Sequence, residues 1–220
     1  MSESGSKSAY PKAVDRLIAR FAELPGIGRR SAERLAFHVL KSSKDDALAL
    51  AKAISDAKLA VRNCRVCWNL SDQDVCEVCD DPKRDRGTVL VVEQPKDLIS
   101  IEQTGMYRGI YHVLMGRLSP LDNIGPGDLT VQALIERVQD PSHNCGGVAI
   151  REIVLGLNPT VEGDGTAVYL GERLREAAQQ AGAGEVRVTR LARGVPTGSQ
   201  LEYANKAVLA DAIQCRQAMG

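Results

Sequence analysis

Four cysteines, Cys64, Cys67, Cys76 and Cys79, form two Cys-x-x-Cys pairs separated by eight residues. Two such knuckles folded together place four thiolates at the corners of a tetrahedron, the geometry Zn2+ prefers. Four protein ligands leave no coordination position for a reacting water. The expected role is therefore structural: one Zn2+ ion per chain, helping to fold a segment too short to fold alone. Two disulfides, redox Cys-x-x-Cys pairs and an iron–sulfur cluster are the other readings of the same spacing. The opening residues MSESGSKSAY carry no apolar signal core, so a reducing cytoplasm is expected, and there metal outweighs disulfide. Cys145 and Cys215 stand apart from any activating base and read as ordinary thiols. Trp68, the one tryptophan, is expected to pack on the knuckle. Packing is likewise expected for His38 and His112, while His143 falls in a loop beside Cys145.

A second constellation is Leu24-Pro25-Gly26-Ile27-Gly28, followed by Arg29, Arg30 and Arg34. Two glycines permit backbone conformations that other residues resist, and they leave no Cβ to block a close approach. The amides opening the helix that follows would point outward, unsatisfied and positively polarised, as a phosphate site requires. Arg30 and Arg34 lie four apart opposite the apolar stripe, Lys41 continues that side, Arg29 sits at the mouth, and Glu33 is the one acid nearby. A solvated basic helix face is the bland alternative. On the sharper reading Gly26, Gly28, Arg29, Arg30 and Arg34 bind DNA through its phosphates, and such contacts carry no sequence information.

These residues need elements to hold them. Val14, Leu17, Ile18 and Phe21 recur at helical spacing and predict an amphipathic helix over Lys12–Glu23. A second helix is expected from about Arg29 to Leu40, with Ala32, Leu35, Ala36, Val39 and Leu40 on one face. A third should run from about Asp45 to Arg62, with Ala47, Leu50, Ala51, Ile54 and Val61 turned inward. Asp80–Gly87 is polar and reads as a linker. Beyond it, strands are expected at 88–92, 110–114, 152–157 and 186–191, with helices near 97–103, 129–139, 163–181 and 205–217. The continuous apolar run of the first of these strands fits a strand covered on both faces. Alternating strand and helix predicts a parallel sheet with right-handed crossovers. The 220 residues carry 28 basic and 28 acidic side chains, so no whole-chain field announces a polyanionic partner; yet residues 1–63 hold 12 Lys+Arg against 7 Asp+Glu, which locates an anion-binding surface in the first third. No apolar run reaches the roughly 18 residues of a membrane span.

The ordered set of segments 24–40 (LPGIGRRSAERLAFHVL), 64–85, 89–126, 152–170 and 191–213 resembles the bacterial recombination mediator family RecR across nearly the whole chain beyond its first dozen residues. The resemblance implies an α+β multidomain chain. After a small, polar stretch that reads by composition as a disordered tail (1–11), its order would be a helix-hairpin-helix DNA-binding domain (12–63), a four-Cys zinc finger (64–83), an α/β Toprim domain with a mostly parallel sheet (84–185) and a C-terminal oligomerisation segment (186–220). It implies a ring-like homotetramer that clamps DNA without reading sequence and works with RecO, and in many bacteria RecF, to help RecA replace single-strand-binding protein at gaps. It implies DNA contacts at Arg30 and Arg34 and RecO contacts at Glu93 and Asp97, and docking or structural roles are expected for Asn158 and Glu162. Many relatives carry proline at the position of Arg29, and the stretch 140–147 (DPSHNCGG) departs from the family pattern.

Toprim enzymes hold Mg2+ with a glutamate after the first strand and a DxD after a later one. Glu93 occupies the first position, but Leu157-Asn158-Pro159-Thr160 replaces the DxD, and Glu162 and Asp164 follow in displaced positions. No tyrosine or serine stands beside an evident activating base. No catalytic residue is assigned, and the expected protein is not an enzyme. A Mg2+-dependent Toprim nuclease or topoisomerase is the alternative, with a purely architectural duplex binder as a third reading.

Overall fold

A computed structural model of the chain describes residues 10–182 and 186–216. Residues 1–9 of the expected tail, and the last residue of the helix expected to end at 217, lie outside the described residues. The chain divides into two compact units, Met1–Val61 and Arg62–Gly220.

The first unit contains three helices among its described residues, α1 (Lys12–Ala22), α2 (Arg29–Lys41) and α3 (Lys44–Ala60). Its core is small: Ile18, Ala32 and Ala36 are buried, with Tyr10, Val14, Leu17, Phe21 and Ile27 packed around them. The two alanines of α2 let α1 approach closely, and Ile27 anchors the intervening turn. Tyr10 meets Phe37 edge-on at 5.6 Å between ring centroids. Ser43 caps α3, its hydroxyl accepting from the Asp46 amide at 3.1 Å, and Asp45 and Asp46 sit where the helix dipole favours acids. The inward face expected for α3 is not inward: no residue of the helix is buried, and Leu50, Ile54 and Val61 are 46%, 62% and 43% exposed. Leu35 and Leu40 of α2 are exposed as well. Periodicity correctly marks the helices, but the described residues of this unit form no further element to lay over those side chains.

The second unit opens with the cysteine segment: two short strands, β1 (Arg62–Asn63) and β2 (Leu70–Ser71), pair antiparallel, and a single helical turn, α4 (Glu77–Asp80), follows. Four parallel strands make the main sheet: β3 (Asp85–Val92), β4 (Gly109–Val113), β5 (Glu152–Leu155) and β6 (Arg187–Arg190), in the order β4-β3-β5-β6. Between and after them run α5 (Pro95–Glu102), α6 (Val131–Gln139), α7 (Val161–Ala181) and α8 (Lys206–Gln214).

Both faces of the sheet are covered, as the apolar run in β3 requires. Val89 and Val91 point into a core shared with Leu134 and Val138 of α6 and Leu170 and Leu174 of α7. Leu90 and Val92 point the other way, against Leu98 and Ile101 of α5 and against Trp68 and Val78 of the cysteine segment. The segment therefore serves as part of one covering layer, and Trp68 packs as expected.

The polar stretch 80–87 is not a linker. β3 begins at Asp85, and Arg84 donates from Nη1 to the Gly109 carbonyl at 3.2 Å while pairing with Glu102. Its polar residues are spent on cross-links: Asp85 accepts from Arg151 at 2.7 Å and from the Thr88 hydroxyl at 2.7 Å. The stretch 140–147 forms two single turns of 3-10 helix, Pro141–His143 and Cys145–Gly147, with Asn144 buried between them.

Candidate zinc centre and nucleic-acid interface

The four cysteine Sγ atoms lie within 4.8 Å of one another, and all four residues are buried. None is in a disulfide. The Cys76 amide donates to Cys64 Sγ at 3.3 Å, the Trp68 amide closes the first knuckle onto the Cys64 carbonyl at 2.9 Å, and Asn63 Nδ2 donates to the Trp68 carbonyl at 3.0 Å. Trp68 adopts a positive φ of 64°, which redirects the chain as it leaves the first knuckle. Four convergent soft donors in a closed, dry site fit Zn2+. The ion is structural, and these four side chains hold it.

From the sequence Cys145 reads as an ordinary thiol standing alone. The structure corrects that: Cys145 packs against the four-cysteine cluster. The 140–147 turns carry it there. Beside it lies Arg137 of α6, 2% exposed. Arg137 Nε donates to Asn144 Oδ1 at 2.8 Å, and Asn144 Nδ2 donates back to the Arg137 carbonyl at 2.8 Å. Arg137 Nη1 donates to the Tyr111 carbonyl at 2.9 Å and to His112 Nδ1 at 3.2 Å. His112 is wholly buried, and burial first, then the Arg137 charge, pushes it down to about 3. It is thus a neutral imidazole whose Nε2–H donates to Thr130, at 2.9 Å to the hydroxyl and 3.0 Å to the carbonyl.

In the first unit Gly26 takes φ +77°, with nothing within 4 Å of the position a Cβ would occupy. Gly28 is the N-cap of α2, with no side-chain cap, and no acid stands in the first turn. The first bond of α2 runs from the Ala32 amide to the Gly28 carbonyl at 3.0 Å, so the amides of Arg29, Arg30 and Ser31 have no intrahelical acceptor. Arg29 approaches Glu33 at 3.6 Å. Arg30 and Arg34 are exposed and have no ion-pair partner among the described residues.

The carboxylates of the sheet's carboxyl end do not converge. Glu93, expected at a docking surface, is 2% exposed. Its Oε1 accepts from the Asn158 amide at 2.8 Å, and Arg117 stands 3.6 Å from its Oε2. Asp97 closes a capping box, accepting from the Gln94 amide at 2.8 Å. Glu162 and Asp164 occupy the first turn of α7, whose cap is Thr160, and Asp164 is ion-paired with Arg193. Among the described residues the four cysteines are the one group of three or more metal-ligating side chains with converging donor atoms. Asn158 is exposed beside the Glu93 brace.

Three family models match in order: RecR helix-hairpin-helix over residues 14–58, RecR four-cysteine zinc finger domain over 61–81 and Toprim domain over 87–192. The chain is 49% identical to the recombination protein RecR of Rhodopirellula baltica over 210 residues, spanning 96% of this chain and 98% of that protein. It is 44% identical over 210 residues to that of Rubrobacter xylanophilus and 42% identical over 208 residues to that of Heliobacterium modesticaldum, with 98% of each relative covered. The chain belongs to the RecR family. A RecR chain carries the helix-hairpin-helix, the structural zinc site and the Toprim sheet in this order, and recombination is the process for which its relatives are named. What the cysteine spacing of this RecR chain does not disclose is that Cys145 packs against the four ligands and that Arg137 is buried on Asn144, the residue before it. The one sequence signal is the stretch 140–147, which delivers Asn144 and Cys145.

Proposed function

We propose that this chain is a non-catalytic recombination mediator that grips DNA by its phosphates, without reading sequence, through Gly26, Gly28, Arg29, Arg30 and Arg34. The observation that carries this reading is the open amino end of α2: three amides without intrahelical acceptors, no acid in the first turn, and two exposed arginines without ion-pair partners among the described residues. One hairpin supplies few contacts, so firm binding calls for several copies. A ring-like homotetramer provides them, because linked weak sites gain strongly in avidity. In this scheme the ring clamps DNA at gaps and works with RecO, and with RecF where present, to load RecA.

Docking of RecO is assigned to the carboxyl end of the sheet. There Asp97, Asn158 and Glu162 contribute to the outer surface, and the buried Glu93 braces the Asn158 loop from within. A catalytic Toprim centre has less support, because Glu93 is spent on the Asn158 amide and Asp164 on Arg193.

The test is fluorescence anisotropy of labelled gapped duplexes of unrelated sequence across a salt series. Arg30→Ala with Arg34→Ala should weaken binding to every sequence alike, by about tenfold or more, and flatten the salt slope by about two phosphate contacts. Its melting temperature should not change. Undiminished affinity and slope in the double variant would refute the interface.

A further inference from the structure

A Toprim sheet implies a divalent cation at the carboxyl end of its first strand, and the residues at that end of this chain do not fit one. Mg2+ demands near-octahedral oxygen ligation, with carboxylates free to supply it. Glu93 directly follows β3 and is 2% exposed. Its Oε1 already accepts from the Asn158 amide at 2.8 Å. The first turn of α7 closes against the same atom: a Cβ on the buried Gly163 would come within 3.2 Å of Oε1 and 2.0 Å of the Asn158 carbonyl oxygen. Asp97 accepts from the Gln94 amide and Asp164 pairs with Arg193. Among the described residues no three acidic side chains bring their oxygens together.

The other oxygen of Glu93 is met by a cation that belongs to the chain: Arg117 Nη1 stands 3.6 Å from Oε2. The loop after β4 is fastened on both sides of this arginine. At its start the Leu114 amide donates to the Val92 carbonyl, next to Glu93, at 2.9 Å. Just past Arg117 the Leu118 amide donates to the hydroxyl of Thr166 on α7 at 3.0 Å, and Thr166 is wholly buried. Between these ties Met115 takes a φ of 65°, an uncommon conformation for so large a side chain. A buried carboxylate is costly unless opposite charge and hydrogen-bond donors meet it. One amide and one guanidinium do so here. A divalent ion at the same carboxylate would face the guanidinium's charge a few ångströms away, where repulsion in a partly buried site is strong.

We propose that Arg117 occupies the cation position of this Toprim sheet. Its guanidinium is a built-in counter-charge for Glu93, and it closes the carboxyl end of β3 to Mg2+. The Asn158 loop is then held in place whether or not divalent ions are present. The inference goes beyond the mediator reading and depends neither on DNA binding nor on partner docking.

The test is a titration of the zinc-loaded full chain with Mn2+ in place of Mg2+. Free ion is read by electron paramagnetic resonance, and melting temperature is followed in parallel. The parent and Glu93→Gln should bind Mn2+ alike, since Glu93 holds no ion in the parent. Arg117→Ser should melt below the parent and bind Mn2+ more tightly by about tenfold or more, the ion restoring part of the lost stability. Adding Glu93→Gln to Arg117→Ser should remove both gains. Arg117→Lys, which keeps the charge, should behave as the parent does. Parental Mn2+ binding that disappears in Glu93→Gln would overturn the proposal. So would an Arg117→Ser protein without a Glu93-dependent gain, because something other than the guanidinium would then keep the ion out. Should Arg117→Ser not fold in metal-free buffer, refolding in Mn2+ decides: recovery that needs Glu93 supports the proposal, and no recovery overturns it.

Discussion

The two units of this RecR chain treat charge and apolar surface in opposite ways. The sheet unit buries Glu93, His112 and Arg137 to 2% exposure or less and gives each specific partners. The hairpin unit buries no ionisable side chain among its described residues; its arginines stand in solvent, and so do Leu48, Leu50, Ile54 and Leu59 of α3. A unit that keeps its cations and its apolar helix face outside is shaped by what it touches. A unit that turns its charges inward is shaped by what it must hold still. The same residue type is therefore placed differently in the two halves: the arginines of α2 face solvent, and Arg137 of α6 is buried among its hydrogen-bond partners.

The largest effect should come from the metal. Cys67→Ser should abolish zinc retention and release Trp68 from the sheet, read as loss of metal in elemental analysis and a red shift in tryptophan emission. α1 and α2 should keep their amide-exchange protection. Loss of that protection would end the division into two independent frames.

Next in size, Leu170→Ala, in the core between α7 and the sheet, should destabilise the sheet unit by about 2–5 kcal/mol in chemical denaturation. A smaller penalty is expected from Glu102→Gln, about 1.5–3 kcal/mol at neutral pH, because a charged acceptor of Arg84 and Tyr111 is lost. The hydrogen bond from Arg84 holds the Glu102 carboxyl below its ordinary 4.5. With the folded value depressed, the stabilisation is complete above pH 4.5 and fades as pH falls through the lower folded value. The gap between parent and Glu102→Gln should close along that descent, and a pH-independent gap would show that charge plays no part.

The smallest effect belongs to Ile54→Ser on α3. For the isolated chain it should be within about 0.5 kcal/mol, since the side chain is already 62% exposed. A concentration-dependent loss of stability would instead show that another copy covers this face.

Much of this organisation was legible because its signals are local. Helical spacing marked α1, α2 and α3, two Cys-x-x-Cys pairs marked the zinc ligands, and an apolar run marked β3 as covered on both sides. What escaped depends on contacts between distant segments. Arg137 reads as one more cation on an amphipathic helix, and nothing near it in the chain says that Asn144, Tyr111 and His112 close around it. Glu93 reads as an acid at a strand end, and only the Asn158 amide and Arg117 explain its burial. For α3, periodicity shows that one face is apolar and cannot show whether anything lies on it.

The Val113 amide of β4 donates to the Cys67 carbonyl at 2.8 Å, and β4 is the outermost strand on its side of the sheet. The metal loop thus occupies a border where a foreign strand would otherwise find an unmet donor. A loop that loses its ion would loosen its hold on that amide, so the same metal that shapes the knuckle also helps keep the rim of the sheet closed.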